Sequence, residues 1–161
     1  MTSNALQELE TGAAYAFRDW PNPLVPKVAI GVYSVWKREQ LLYGGMAGDK
    51  LTKDKVLELR GKGKEKKGLY ERLTSHARGR RGGDQFCIYV CDRLVLGTLT
   101  QAEIEQITRG ELSLDDLTRD YIHQNLTYRF VEVEDVSTAR DLEKSVKRGE
   151  LSAGEPLFNP S

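Results

Sequence analysis

Arg72 and His76 lie four residues apart in a segment, 69–78, whose apolar residues recur at the spacing of an α-helix. Residues four apart share one face of a helix. A guanidinium binds phosphate through paired hydrogen bonds, and an imidazole gives or takes a proton near neutral pH. The pair therefore indicates a site that handles phosphate. The alternative is a basic helix face that meets only solvent.

Two tyrosines stand on neighbouring β-rich segments, 28–36 and 41–48, which predict a hairpin. Tyr33 follows Gly31 by two residues, and Tyr43 directly precedes Gly44, so backbone or ligand can approach closely. A phenol has a pKa near 10, and we expect the basic residues downstream to lower it. Ordinary sheet tyrosines are the alternative.

Glu143 lies at the edge of the apolar face of a third predicted element, the helix 138–147. A carboxylate there is costly unless it is paired or bound to metal. One carboxylate with waters and a phosphate oxygen is a typical Mg²⁺ arrangement. The alternative is an ion pair with Arg140 or Lys147.

The cysteines, Cys87 and Cys91, fall in a further predicted strand, 86–91, where even spacing puts them on one side. Two cysteines and two histidines without paired spacing argue against a zinc site. We expect both cysteines to pack in the core.

Charge is distributed unevenly in a chain of 161 residues whose 24 basic and 24 acidic side chains cancel. The window 50–81 has twelve basic and four acidic residues, a net charge of +8, so the remainder carries −8. This asymmetry predicts one basic face for a polyanion, with a solvated loop as the alternative. No apolar run is long enough to span a membrane, and no secretory signal begins the chain, so we expect a cytoplasmic protein.

The elements that must position these residues alternate between strands and helices. Besides those above, the pattern predicts a short helix at 52–59, helices within 100–126 and a strand at 128–133. The expected fold class is α/β (α+β), with a central sheet of three to four strands flanked by helices.

Five short motifs occur in a fixed order along about 28–161. They are Gly31-Val32-Tyr33, Tyr43-Gly44-Gly45, Arg72 with His76, Glu143, and Asn159 within Pro156-Leu157-Phe158-Asn159-Pro160. This order resembles the GIY-YIG nuclease superfamily. The helix that carries both Arg72 and His76 is most similar to the restriction-endonuclease branch.

The resemblance implies a small α/β domain that hydrolyses a DNA phosphodiester with one divalent cation, Mg²⁺, for which Mn²⁺ substitutes. It implies that Tyr33 is the general base or positions the base. Tyr43 would orient the phosphate or the nucleophile, and Arg72 would stabilise the charge of the transition state.

Three further roles and three departures follow from the same resemblance. His76 would bond to Tyr33 or the phosphate, Glu143 would bind the metal, and Asn159 would tie the C-terminal segment to the site. Gly44 replaces the usual Ile, the loop 48–68 is long and rich in lysine, and a helical insertion occupies about 94–126.

The basic segment is the expected DNA contact, because phosphate contacts dominate such binding. The candidates are Lys62, Lys64, Lys66, Lys67, Arg78, Arg80 and Arg81.

Residues 1–27 form an N-terminal extension to the nuclease domain, 28–161, and no separate targeting domain is expected. We expect a DNA endonuclease of the restriction, defence or DNA-processing kind, acting as a homodimer. The alternatives are a DNA-binding module whose nuclease site has decayed, and a nuclease for RNA or for branched or modified DNA.

Overall fold

Three long strands form the centre of the computed structural model, which describes residues 2–161. Met1, the first residue of the expected N-terminal extension, lies outside the described residues. The strands are β1 (Tyr15–Ala16), β2 (Val28–Lys37), β3 (Gln40–Ala47), β4 (Lys67–Gly68) and β5 (Thr127–Val133). The helices are α1 (Thr2–Thr11), α2 (Lys53–Lys62), α3 (Leu69–Arg78), α4 (Gln85–Val90), α5 (Gln101–Thr108), α6 (Leu114–Asn125) and α7 (Val136–Lys147).

The sheet has the order β1-β5-β2-β3, with antiparallel neighbours, and β4 pairs in parallel with the start of β2. β2 is central and almost wholly buried, whereas β3 lies at the end of this order. Two of the five strands have only two residues, so the expected α+β class with a small helix-flanked sheet is confirmed.

Helices cover both faces of the sheet because β2 alternates between two hydrophobic clusters. Tyr33 and Val35 belong to a cluster with residues of α3, α4 and α6. Val32 and Trp36 belong to a second cluster with residues of α1, α2 and α7. Arg72 and His76 on α3 therefore lie on the Tyr33 face.

The predicted strand 86–91 is wrong, since this segment forms α4 and a following π-helical turn, Cys91–Val95. Asp84 caps α4, its side chain accepting a hydrogen bond from the Cys87 amide. Phe86 and Val90, four residues apart, are buried with both cysteines, whose common face is that of a helix. The helical segment between β4 and β5 therefore continues from α3 through α4, upstream of the expected insertion at 94–126.

The segment before β2 packs onto the rest of the protein. Leu9 on α1 is fully buried in the second hydrophobic cluster, which also contains residues of α2 and α7. β1 extends the sheet beside β5. Among residues 2–161, no helix has the length and apolar character needed to cross a membrane.

Candidate active site

Tyr33 and His76 meet in the core beneath the hairpin of β2 and β3. The tyrosine hydroxyl lies 2.7 Å from the His76 Nε2 atom, and both side chains are buried. Tyr33 is on the central strand, β2, and His76 is on the inward face of α3. The packing of α3 on β2 therefore fixes the distance between the two side chains.

Asp84 extends this contact on the other side of the imidazole. One of its carboxylate oxygens, Oδ2, lies 2.7 Å from the His76 Nδ1 atom and also accepts a hydrogen bond from the Ser75 hydroxyl at 2.9 Å. The sequence analysis missed Asp84. The signal that would have found it is an acidic residue directly before a helix, the usual N-cap position.

The pKa shifts of His76 and Asp84 show which atoms carry the protons in the hydrogen bonds that join Asp84, His76 and Tyr33. Burial lowers the pKa of His76 although Asp84 opposes the shift, so the imidazole is neutral at pH 7. Burial works to raise the pKa of Asp84, but the hydrogen bond from His76 and further hydrogen bonds lower it to about 2. An ionised Asp84 only accepts, so His76 donates from Nδ1 and accepts the Tyr33 proton at Nε2.

The expected lowering of the tyrosine pKa by nearby cations is wrong in net direction. Burial raises the pKa of Tyr33 well above 10, and it also raises that of Tyr43. The positive charge of Arg72 lowers both pKa values, but burial outweighs it. Tyr33 is therefore a protonated donor in the free protein.

Tyr43 and Arg72 open onto a cleft of about 750 Å³. The Tyr43 ring lies 6.2 Å from that of Tyr33 and 6.0 Å from that of His76, measured between centroids. Tyr43 is half-buried and Arg72 is exposed, whereas Tyr33 is fully buried behind them. The site thus has a layer that faces the cleft and a hydrogen-bonded layer beneath it.

Glu143 lies near this cluster, since its charge contributes to raising the pKa of both Tyr33 and Tyr43. Its Oε1 atom forms an ion pair with the Lys147 ammonium at 2.7 Å, one of the two pairings that the sequence offered as an alternative to metal. About a fifth of the Glu143 side chain is exposed, and the residue is not among those that line the cleft.

Asn159 holds the C-terminal segment against β3. Its amide donates to the Gly44 carbonyl at 2.6 Å and accepts from the Gly44 N–H at 3.1 Å. A Cβ atom at position 44 would lie 2.6 Å from the Val146 Cγ1 atom of α7. There is consequently no room here for the Ile that the resemblance leads one to expect, and Gly44 keeps regular register opposite Ser34.

The basic side chains predicted to contact DNA fall into two groups. Lys62 pairs with Glu58, and Arg81 pairs with Asp115. The other five form no ion pair within the described part of the chain: Lys64, Lys66, Lys67, Arg78 and Arg80.

Four of the five unpaired basic residues line two adjoining cavities. Lys67 lines the cleft with Arg72, and Lys66, Arg78 and Arg80 line an adjoining depression of about 500 Å³. The two cavities share residues of α3, so a basic tract leads away from Arg72 along that helix.

His76 and Asp84 also belong to a cluster of three side chains of the kinds that bind metal ions. Ligand atoms of His76, Asp84 and Cys87 lie within 4.8 Å of one another, the only such group found among residues 2–161. These side chains are already bonded to protein: Cys87 Sγ donates to the His76 carbonyl at 3.7 Å, and burial raises the pKa of its thiol. A cation that prefers oxygen ligands fits the partly exposed Glu143 side chain better than this buried, thiol-containing group.

Comparison of the chain with protein-family models, with curated proteins and with solved structures finds no match. The functional interpretation accordingly depends on the geometry of the site itself.

Proposed function

We propose that this protein is a divalent-metal-dependent endonuclease that hydrolyses DNA phosphodiester bonds, of the restriction, defence or DNA-processing kind. The observation that carries the proposal is the hydrogen bond between Tyr33 and His76 behind Tyr43 and Arg72. His76, Tyr43 and the positively charged Arg72 line one cleft, and the Tyr33 hydroxyl is buried behind them. These groups can supply the proton transfer and the charge stabilisation that hydrolysis of a phosphodiester uses.

Each residue is assigned a step by its exposure. Arg72 and Tyr43 face the cleft, so they bind and orient the phosphate, and Arg72 stabilises the charge that develops on its oxygens. Tyr33 takes the proton of the attacking water as its own proton moves to His76. Because Tyr33 is fully buried, substrate binding has to open access to its hydroxyl.

Glu143 is the residue that would hold the divalent cation. Its side chain is partly exposed near the two tyrosines, and a single carboxylate with waters suits Mg²⁺ or Mn²⁺. When bound, the cation polarises the phosphate and stabilises the leaving oxygen. Lys147 pairs with Oε1 of the same carboxylate and would compete with the cation for that oxygen.

Supercoiled plasmid incubated with Mg²⁺ or Mn²⁺ tests the proposal. We expect nicked or linear product from the wild type and loss of product with Glu143→Gln on α7. The control Glu150→Gln, just after the end of α7, should give normal product. If no divalent cation supports cleavage of duplex, branched or modified DNA, the endonuclease proposal is lost.

Two results distinguish the alternatives. Salt-dependent DNA binding without cleavage would indicate a binding module, although the regular pairing of Gly44 removes the reason to expect a deformed hairpin. Cleavage of RNA alone would move the proposal to a ribonuclease.

A further inference from the structure

We propose that Asp84 is a positioning residue, which holds His76 in the tautomer with its proton on Nδ1 and so leaves Nε2 free to accept the proton of Tyr33. Its catalytic meaning rests on the proposed function. The tautomer itself is a property of the free protein and can be measured without DNA or metal.

The position of the imidazole leaves it little freedom. Both ring nitrogens are engaged at 2.7 Å, by Asp84 on one side and by Tyr33 on the other. The ring also packs against Phe86, with centroids 4.6 Å apart, and against Tyr43. With the ring fixed in this orientation, the partner at Nδ1 decides which nitrogen carries the proton.

Asp84 is itself held in place through both carboxylate oxygens. Oδ1 accepts from the Cys87 amide at 3.1 Å and so caps α4, while Oδ2 accepts from Ser75 and His76. Only 6% of the residue is exposed. A carboxylate fixed in this way accepts a proton donor at Nδ1 and cannot offer one.

The loop that carries Asp84 is held in place by contacts with α6. Arg81 donates from its side chain to Asp115 at 2.7 Å and from its backbone amide to the same oxygen at 3.2 Å. Gly79 packs so closely on Arg119 that a Cβ atom would lie 2.4 Å from the Arg119 Cα atom. The helical segment before β5 thus contributes to the site by fixing the loop 79–84.

In the proton-transfer step, the O–H bond of Tyr33 breaks and an N–H bond forms at Nε2 of His76. The tyrosine oxygen keeps the electron pair and takes a proton from the attacking water, whose oxygen bonds to phosphorus as the bond from phosphorus to the leaving oxygen breaks. The resulting imidazolium lies beside the Asp84 carboxylate, which stabilises its positive charge. The imidazolium then returns its proton to the Tyr33 oxygen as Tyr33 passes a proton to the leaving oxygen of the product.

The substitution Asp84→Asn separates positioning from folding. The Cys87 N–H requires an acceptor, so the Asn carbonyl takes the capping position and its amide group faces His76. That amide donates, so Nδ1 of His76 has to accept. The imidazole proton then moves to Nε2, and Nε2 can no longer accept the hydrogen bond from the Tyr33 hydroxyl.

Nitrogen-15 NMR of the imidazole nitrogens in the full chain at pH 8 reads the tautomer directly. The chain has two histidines, and the variant His123→Gln identifies the signals of His76. We expect the Nδ1-protonated form in the wild type and in Ser75→Ala, and the Nε2-protonated form in Asp84→Asn. A wild type protonated on Nε2, or an unchanged tautomer in Asp84→Asn, overturns the proposal.

Cleavage assays supply the second reading. Asp84→Asn is expected to bind DNA normally and to cleave it at least about 100-fold more slowly. Asp84→Ser, which keeps a capping oxygen, is expected to lose cleavage to a similar extent. If the wild type cleaves and both variants match it, the positioning role fails while the proposed function stands. If the wild type has the expected tautomer but cleaves nothing, only the proposed function fails.

Discussion

Gly45 faces Tyr33 across the hairpin, and a Cβ atom at position 45 would lie 2.5 Å from the tyrosine hydroxyl oxygen. The aromatic ring can lie across β3 and reach His76 only because residue 45 has no side chain. We predict that Gly45→Ala displaces the hydroxyl from the His76 Nε2 atom, destabilises the protein by about 1–3 kcal/mol and lowers the cleavage rate at least about tenfold.

Urea unfolding and plasmid nicking measure these two effects of Gly45→Ala. The matched control is Gly97→Ala, because a Cβ atom at position 97 meets no atom within 4 Å. Equal behaviour of the two variants would show that the space above the Tyr33 ring does not constrain the site.

Tyr33→Phe removes the proposed base and keeps the ring. We predict normal DNA affinity and loss of most cleavage, with a destabilisation of about 1–3 kcal/mol because the buried Nε2 of His76 loses its partner. Fluorescence anisotropy of labelled DNA and plasmid nicking report the two activities. Tyr89→Phe is the control, since the Tyr89 hydroxyl forms no hydrogen bond to another described residue. Near-normal turnover in Tyr33→Phe would remove the general-base role.

Local periodicity was sufficient to predict the elements that carry the proposed site. The helical spacing of the apolar residues in 69–78 predicts α3 correctly, and the β-rich segments 28–36 and 41–48 predict the tyrosine hairpin. The segment 86–91 was assigned wrongly because a short apolar run does not distinguish a buried strand from a buried helix. The capping hydrogen bond of Asp84 decides between the two.

Contacts between residues of different elements could not be predicted from the sequence. Asp84 reaches His76 only because the turn after α3 reverses the chain, and residue spacing does not report that. Likewise, a count of basic residues treats Lys62 and Lys67 alike, although Lys62 pairs with Glu58 and Lys67 lines the cleft. The sign of the tyrosine pKa shift was missed for the same reason, because it depends on burial.

The unpaired basic residues are predicted to set the salt dependence of DNA binding. Each cation that contacts phosphate contributes about 0.9 to the slope of log affinity against log salt. Replacing four unpaired cations by Gln should therefore lower the slope by about 3.6. These are Lys66, Lys67, Arg78 and Arg80.

The control removes the same charge from residues that already have acidic partners. These are Lys53, Arg60, Lys62 and Arg81. We expect this variant to change the slope by less than about 1, as measured by anisotropy titrations across a salt series. An equal loss of slope in both variants would mean that net charge alone, and no defined tract, attracts DNA.

Asn159→Asp tests the attachment of the C-terminal segment. The carboxylate still accepts from the Gly44 N–H, but it opposes the Gly44 carbonyl, to which Asn159 donates. We predict a loss of about 1–3 kcal/mol in the free energy of unfolding in urea. The control Asn125→Asp alters an exposed amide and should change stability by less than about 0.5 kcal/mol. A neutral result for Asn159→Asp would show that this segment is not held through Gly44.

Acid is predicted to destabilise the fold through the buried pair of His76 and Asp84. The pKa of His76 is lowered in the folded protein, so the unfolded chain takes up a proton first and stability falls as the pH drops below about 6.5. The pKa of Asp84 is about 2 when folded and 3.8 ordinarily, so its contribution is complete above pH 3.8 and is lost as the pH falls toward 2.

Urea midpoints between pH 8 and pH 4 measure this acid dependence. Below pH 6.5, His76 contributes a slope of up to about 1.4 kcal/mol per pH unit. We expect His76→Gln, which has no proton to take up at this position, to lose that part of the slope, and His123→Gln to retain it. A wild type with constant stability between pH 7.5 and pH 5, or an unchanged slope in His76→Gln, would show that His76 is not held neutral in the folded core.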